Sequence, residues 1–471
     1  MLTRRNWLKA GVAAAAAGTA SVAQAATGKA APSQKSNINK TLPSETFDCV
    51  ILGAGTGSLV TAIEAFDRGL KPVVLEKMSW AAGNSIFASG GIAAWGTDLQ
   101  KAQGFNETKE AFRADMMKVS QNRADPALVD TYVENIGPDI EWLQKKIGVK
   151  FEKIRTLPWP LLHRMIPVDG QGLTGGSRLI RYLLAACDAR KIPVRFNTKG
   201  LKLITDNQYR IVGVECLTDD GLKNYMARDG VVIGTGGFSA NVQMRETQVP
   251  YLTEELPTTN IKAASTGEGI YLAQAIGANT TQMSNIQRYP WADPNTGVLD
   301  KYAVWPFTGP SYGVIYVDYN GNRYVNEGDR RDVCANAAVN TGFVSTYAIF
   351  TEPVVAGYVR PEEIEAGIAD GRILKADTLD ELAEKINGFE VKGMFPTVTG
   401  DNLKTTIEKH NGYIDNGEDL DFHKVMASTM VKIEEGPYYA LPQFPSVHHT
   451  MGGLVIDTMT RVLDIYGQPI E

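Results

Sequence analysis

The run Gly53-Ala54-Gly55-Thr56-Gly57-Ser58 constrains this chain more than any other segment, because of what flanks it. Asp48–Leu52 before it is a short apolar run of strand character, Thr56–Arg68 after it has apolar residues at helical spacing, and Pro72–Leu75 is a second apolar run. Strand, glycine-rich turn, helix and strand make one β-α-β unit, so the expected fold class is α/β with a Rossmann-like domain. Gly53, Gly55 and Gly57 let the backbone turn tightly and approach a pyrophosphate, and Ser58 in the third glycine position is small enough to keep helix and strand close. The helix N-terminus offers free N–H groups to phosphates. Glu76 ends the second strand 23 residues after Gly53, where an acid accepts hydrogen bonds from ribose hydroxyls, with Lys77 beside it. A dinucleotide is the expected ligand.

At 471 residues the chain exceeds what one core usually supports, and 44% apolar with 21% charged residues is an ordinary globular balance, so more than one packed unit is expected. Helical patterns at Lys109–Ser120, Pro126–Ile147 and Arg178–Ala189 continue the first unit, the last approached through the cap-type residues Thr174-Gly175-Gly176-Ser177. Strand patterns follow at Val194–Phe196, Gly200–Thr205, Tyr209–Leu217 and Val231–Ile233. Between Thr281 and Val447 the character changes to aromatics, prolines and charged helices such as Thr378–Ile386 and Leu403–Tyr413, which reads as an inserted α+β capping domain. The expected division is 1–25 signal, 26–44 linker, 45–280 first part of the nucleotide-binding domain, 281–447 capping (clamp) domain, and 448–471 its second part.

The signal is expected from Thr3-Arg4-Arg5-Asn6-Trp7-Leu8-Lys9, an Ala-rich run from Gly11 to Ala20 and the small-x-small triplet Ala23-Gln24-Ala25, the order of a twin-arginine export peptide. That run is too short for a permanent span, which needs roughly 20 residues, so no stable membrane insertion is expected. The polar stretch Gly28–Ser36 reads as a tether. Export by this route carries a protein already folded around its cofactor, and the expected location is the periplasm. A formal charge of −6 without a long Lys/Arg run argues against a nucleic-acid surface. Cysteines at 49, 187, 216 and 334 have neither disulfide-framework nor zinc spacing and read as structural.

A second glycine-rich stretch follows, Gly83-Asn84-Ser85-Ile86-Phe87-Ala88-Ser89-Gly90-Gly91-Ile92-Ala93-Ala94. It resembles the segment that runs along the flavin in the flavocytochrome c-type fumarate reductase and urocanate reductase family. Gly234-Thr235-Gly236-Gly237-Phe238 and Ser265-Thr266-Gly267-Glu268-Gly269 resemble two more family segments in the same order. The resemblance covers 44–471 and implies FAD as cofactor, with Asn84, Ser85, Ser89, Gly90, Gly91, Thr235, Gly236, Gly267 and Glu268 at its site. Small residues let the backbone pass against a flat isoalloxazine, and short polar side chains can bond its heteroatoms.

Two further motifs carry the chemistry that the resemblance implies, reduction of an activated C=C bond. Asn322-Arg323-Tyr324-Val325-Asn326-Glu327-Gly328-Asp329-Arg330-Arg331-Asp332 resembles the run whose arginine before the aspartate donates the proton, here Arg331. An arginine has a free pKa above about 12, yet it also stabilises charge developing on the substrate; the residues alone read equally as an ion pair of Arg330 or Arg331 with Asp329 or Asp332. Val447-His448-His449-Thr450-Met451-Gly452-Gly453 is close to the family's doubled-histidine signature, which puts His448 on the substrate carboxylate, His449 against the flavin and Gly90 in touch with substrate. No third ligand is evident beside the two histidines, so no metal is expected.

The sequence departs from fumarate reduction where those enzymes place a histidine on the second carboxylate. Here the run is Ile286-Gln287-Arg288-Tyr289-Pro290, and Tyr289 takes the histidine's place, as in urocanate reductases. Pro306, Phe307 and Pro310 stand where the family carries its Thr-Glu pair and relay arginine. With Trp291, Trp305 and Tyr312 close in sequence, this side of the pocket is expected to be aromatic and to bind a flat ring, unless those rings simply fill the capping core. The expected substrate is therefore an aryl- or heteroaryl-acrylate such as urocanate or a cinnamate, with Asp293 or Asp300 as a candidate acid for an imidazole. The alternatives are fumarate, or an inactive flavoprotein or redox carrier. No C-x-x-C-H attaches a haem, so electrons are expected from a separate c-type cytochrome. Family members continue past the last residues here with a strand, a helix and a substrate arginine, so the chain is expected to be a fragment of a longer product.

Overall fold

The computed structural model describes residues 36–154, 164–170, 174–342, 345–389, 391 and 395–471; the expected signal peptide lies outside them. Strand β1 (Ser44–Leu52), helix α1 (Thr56–Asp67) and strand β2 (Pro72–Leu75) form the expected unit, with β1 and β2 parallel. Helix α2 (Gly175–Ala189) follows, then β3 (Val194–Arg195), β4 (Lys199–Thr205), β5 (Ile211–Thr218) and β6 (Gly221–Ile233). The sheet order is β3-β2-β1-β6-β5-β4. The first four strands run parallel and the last two join as an antiparallel meander. The strand expected at 231–233 is the tail of β6, which is 13 residues long. Lys223, Asn224, Arg228 and Asp229 interrupt its apolar pattern and hid it.

Side chains of the central strands alternate between two cores, as the period of two dictates. Ile51 and Val74 meet Leu59, Ile63, Leu183 and Cys187 of the helical layer. Val50, Leu52, Val73 and Leu75 meet Leu203, Val214 and Tyr225 on the opposite face. All but Ser36 of the stretch expected to be a tether lies outside the described residues; just after it, Asn37 accepts from the Thr205 N–H and donates to Leu203, which pins the chain there to the edge of β4. All four cysteines are buried and free, and burial pushes the Cys49 and Cys187 thiols up to about 11.

Helices α3 (Val242–Gln248) and α4 (Glu268–Gln274) lead to a second sheet. It is made of β7 (Ile286–Ala292), β8 (Ile315–Val317), β9 (Thr346–Thr351), β10 (Leu374–Ala376) and β11 (Tyr438–Thr450), with helix α5 (Arg331–Asn340) packed beside β7. Strand β11 is central, antiparallel to β7, β9 and β10. Its N-terminal half is core, with Tyr439, Ala440 and Leu441 buried, and its C-terminal end carries His448, His449 and Thr450, whose hydroxyl accepts from the Phe238 N–H in the loop after β6.

Candidate active site

The first sheet ends in a cavity of about 300 Å³ lined by Gly53, Gly55, Gly57, Ser58, Glu76, Lys77, Asn84, Ser85, Thr235, Gly236 and Glu268. The glycine turn is shaped for a guest. Gly53, at φ +90°, packs so closely that an added Cβ would lie 2.6 Å from the Gly234 oxygen, whereas one on Gly57 would meet nothing within 4 Å and project into open space. Ser58 is buried, its hydroxyl on Gly234, which explains its tolerance at the third position. The Glu76 carboxylate accepts from the Ala54 and Met78 N–H groups at 2.8 and 2.9 Å, which holds it at the end of β2. Ser85 accepts from the Thr56 N–H at 3.3 Å, and Asn84 accepts from the Ile261 N–H at 2.9 Å. Lys77 bridges to Glu268 at 2.7 Å and to the Thr266 hydroxyl at 2.6 Å, with Lys199 at 3.3 Å from Glu268. Burial acts to raise the Glu268 carboxyl, but the Lys77 and Thr266 bonds hold it below its ordinary value. These residues fit FAD: a Gly57 without side chain over the cavity, an acid at the strand end, and backbone amides at the start of α1.

The small residues after Asn84 have a second reason to be small. Gly90 is at φ +92°, and a Cβ there would lie 2.2 Å from the Gly175 Cα; one on Gly176 would lie 2.0 Å from the Ser85 oxygen. The segment thus crosses the first turn of α2 backbone to backbone, with Ser89 accepting from the Gly175 N–H at 3.2 Å. Gly91 faces Met165 from the paired strand at 165–167. Gly267, at φ +75°, starts α4 and packs on Met244.

The second half of the site gathers Arg331, Tyr289, His448 and His449, residues that come from α5, β7 and the end of β11. The pairing of β7 with β11 sets Gln287 opposite His449 and Tyr289 opposite Ser446, with a register shift between them. The Tyr289 ring is 5.1 Å from His448, and His448 is 3.9 Å from His449. Arg331 is the first residue of α5; its guanidinium lies 5.1 Å from the Phe307 ring and 5.4 Å from that of Tyr289. Among the described residues Arg331 has no carboxylate partner, whereas Arg330 pairs with Asp332 at 2.9 Å. The surface ion pair that the residues alone suggested thus falls to Arg330.

Burial, with His449 and Arg331 adding repulsion, lowers the His448 pKa to about 3. His449 is lowered in the same direction by burial and Arg331. Burial pushes the Tyr289 hydroxyl up to about 12, against the pull of Arg331. Two neutral imidazoles, one phenol and one unpaired guanidinium therefore converge, a set suited to holding an anion and supplying a proton. The aromatic wall has two parts. Tyr289 and Phe307 face Arg331, while Trp291 and Tyr316 are buried core and Trp305 packs edge-on to Tyr302. Asp293 and Asp300 are not available to an imidazole: Arg372 binds both, at 3.0 and 2.5 Å, and each also caps its own loop.

Sequence reasoning missed Thr258-Thr259-Asn260, whose Thr259 hydroxyl lies 2.5 Å from His448 Nδ1 and whose Asn260 donates to the His448 carbonyl. A short polar triplet in a loop carries no periodicity to mark it.

Residues 48–471 match the FAD binding domain family. The chain is 33% identical over 428 residues to an NADH:fumarate oxidoreductase of Klebsiella pneumoniae, covering 91% of this chain but only 44% of that protein. It is 30% identical to the urocanate reductase of Eggerthella lenta, covering 90% of this chain and 68% of the other. The structure of the open conformation of a flavocytochrome c3 fumarate reductase superposes with a TM-score of 0.73 at 26% identity, covering 91% of this chain and 72% of that one. The chain therefore belongs to the FAD-binding flavoprotein oxidoreductases of the fumarate and urocanate reductase family, whose substrates are reduced at a C=C bond.

Proposed function

We propose that this protein reduces the C=C bond of a monocarboxylic enoate, with aryl- and heteroaryl-acrylates such as a cinnamate or urocanate as the leading class. The observation that carries this reading is the Arg331 guanidinium, without a carboxylate partner among the described residues, held against the Phe307 and Tyr289 rings, the second of which also meets His448. FAD, held by the Gly53–Ser58 turn, Glu76, Asn84, Ser85, Thr235 and Gly236, supplies the hydride when it is bound and reduced. His448, neutral at physiological pH, donates a hydrogen bond to the substrate carboxylate and stabilises charge that moves onto it. Arg331 delivers the proton to the neighbouring carbon and is recharged from solvent. Gly90, whose side-chain position is filled by the Gly175 backbone, meets substrate through its own backbone, and His449 faces the cofactor side.

Tyr289 and Phe307 make the wall on which a planar substituent stacks, and neither offers a charge to a second carboxylate. Fumarate is the alternative substrate. With Asp293 and Asp300 both committed to Arg372, a neutral aryl ring suits the described side chains as well as an imidazole. Residues 45–280 and 448–471 form the flavin-binding unit and 281–447 the covering one, exported to the periplasm by the twin-arginine signal. A separate c-type cytochrome supplies electrons. Among the described residues no helix is long and apolar enough to cross a membrane.

The test is oxidation of reduced viologen by the FAD-loaded protein across a panel of cinnamate, urocanate, acrylate and fumarate. Turnover of the monocarboxylates ahead of fumarate is expected; turnover of fumarate alone overturns the reading.

A further inference from the structure

His448 has one ring nitrogen committed before any substrate arrives. Its Nδ1 lies 2.5 Å from the Thr259 hydroxyl, and its Nε2 makes no hydrogen bond among the described residues. Thr259 is 1% exposed, so its hydroxyl proton must find a partner inside the protein. Two are within reach: Nδ1 at 2.5 Å, and the Val447 carbonyl at 3.5 Å, the limit of a hydrogen bond. The shorter contact takes the proton. With the hydroxyl donating to Nδ1, the single proton of a neutral imidazole resides on Nε2, and that nitrogen becomes a donor. The opposite arrangement would leave Nε2 a bare lone pair, which repels a carboxylate.

The loop that brings Thr259 there is built to stay. The Thr259 N–H donates to Val447 at 2.9 Å and the Val447 N–H to Pro257 at 2.8 Å, while Asn260 donates both to the His448 carbonyl and to Ser239. Arg245, 2% exposed, donates to the carbonyls of Leu252, Thr253, Leu256 and Ser239, pinning the chain on either side. On its far side the loop's Ile261 N–H donates to Asn84 of the cofactor-lining segment at 2.9 Å. One loop thus touches both His448 and the cofactor cavity.

We propose that Thr259 is a positioning residue that fixes His448 in its Nε2–H tautomer and so turns a neutral histidine into a carboxylate-binding donor. This rests on the reading of His448 as the substrate's carboxylate partner. The test labels the histidines of the FAD-loaded protein with ¹⁵N and reads tautomers from long-range ¹H–¹⁵N correlations; the chain has five histidines, and His448→Gln assigns the one that matters. Expected are the Nε2–H pattern in the wild type and in Thr259→Ser, and its loss in Thr259→Val. Kinetically, Thr259→Val should raise KM for the enoate roughly tenfold or more, as loss of a hydrogen bond to a charged group does, with FAD absorbance intact and Thr259→Ser restoring it. An Nδ1–H pattern in the wild type, or one unchanged in Thr259→Val, overturns the proposal. If the wild type turns over no enoate, the functional reading fails while the tautomer measurement still decides the role of Thr259.

Discussion

The arm that delivers Arg331 is anchored by a buried charge cluster, and replacing Glu327 by Gln tests how firmly. The Glu327 side chain is fully buried. It accepts from Arg323 Nε and Nη2 at 2.7 and 2.8 Å and lies 3.2 Å from Lys424 Nζ, while Arg323 also reaches Asp419 at 2.8 Å. Burial acts to raise the Glu327 carboxyl, but Lys424 and Arg323 outweigh it and hold the pKa at about 2, against an ordinary 4.5. That difference corresponds to roughly 3 kcal/mol of stability. Glu327→Gln keeps the volume but leaves Arg323 with Asp419 alone and takes away the carboxylate that Lys424 pairs with, and breaking a buried pair costs about 3–5 kcal/mol, the same range. The sign follows from the depressed pKa: the contribution is fully present above about 4.5 and is lost as pH falls toward about 2. The assay is urea unfolding of the FAD-loaded protein followed by tryptophan fluorescence, because Trp291 belongs to the core cluster that also contains Val325 and Trp305 packs against it. A gap between wild type and variant of about 3 kcal/mol at pH 7, unchanged at pH 5 and narrowing below 4.5, is expected. A gap below about 1 kcal/mol at pH 7 would mean that the cluster is not what holds the arm.

Other substitutions probe the remaining parts. Gly90→Ala places a Cβ 2.2 Å from the Gly175 Cα and should lower both melting temperature and FAD content, whereas Gly57→Ala, with open space around it, should lower FAD content alone; equal melting temperatures would refute the contrast. Phe307→Leu removes one face of the clasp around Arg331 and, at about 1 kcal/mol for a cation–π contact, should cut kcat roughly fivefold with FAD bound normally; unchanged kcat would show that the ring does not position the guanidinium. His410 is wholly buried and has no hydrogen-bond partner among the described residues, and burial with Lys424 nearby lowers its pKa to about 3. Its depressed pKa contributes stability above about 6.5 that is lost on acidification, so from pH 7 to pH 5 His410→Leu should lose about 2 kcal/mol less than the wild type in the same unfolding assay.

The β-α-β unit was legible because its three signals are local: an apolar run, a glycine turn and a helical period within about 30 residues. The helix expected at Arg178–Ala189 was found for a similar reason, since Thr174 caps it through its own side chain; the one expected at Leu403–Tyr413 starts earlier, at Gly400 behind the cap Thr399, and runs to Asn416. Strand β6 was read only at its apolar end, because pairing on both sides, not side-chain pattern, makes its polar half a strand. Arg331 and the two histidines were found through their motifs, but their convergence depends on the register of β7 against β11, which no local pattern encodes. The two aspartates proposed for an imidazole failed on the same ground: their partner, Arg372, is far away in sequence. Gly90 was assigned smallness for a flat ring, yet a backbone crossing against Gly175, with its own steric demand, already requires it.

The most direct measurement is the single-turnover reoxidation of the dithionite-reduced, FAD-loaded protein by cinnamate or urocanate, compared between wild type and Arg331→Ala. The proposed role of Arg331 as proton donor predicts that the wild type reoxidises in the presence of enoate, and that the variant keeps its flavin spectrum but fails to do so. A variant that reoxidises at the wild-type rate would show that the proton comes from elsewhere and would contradict the central claim.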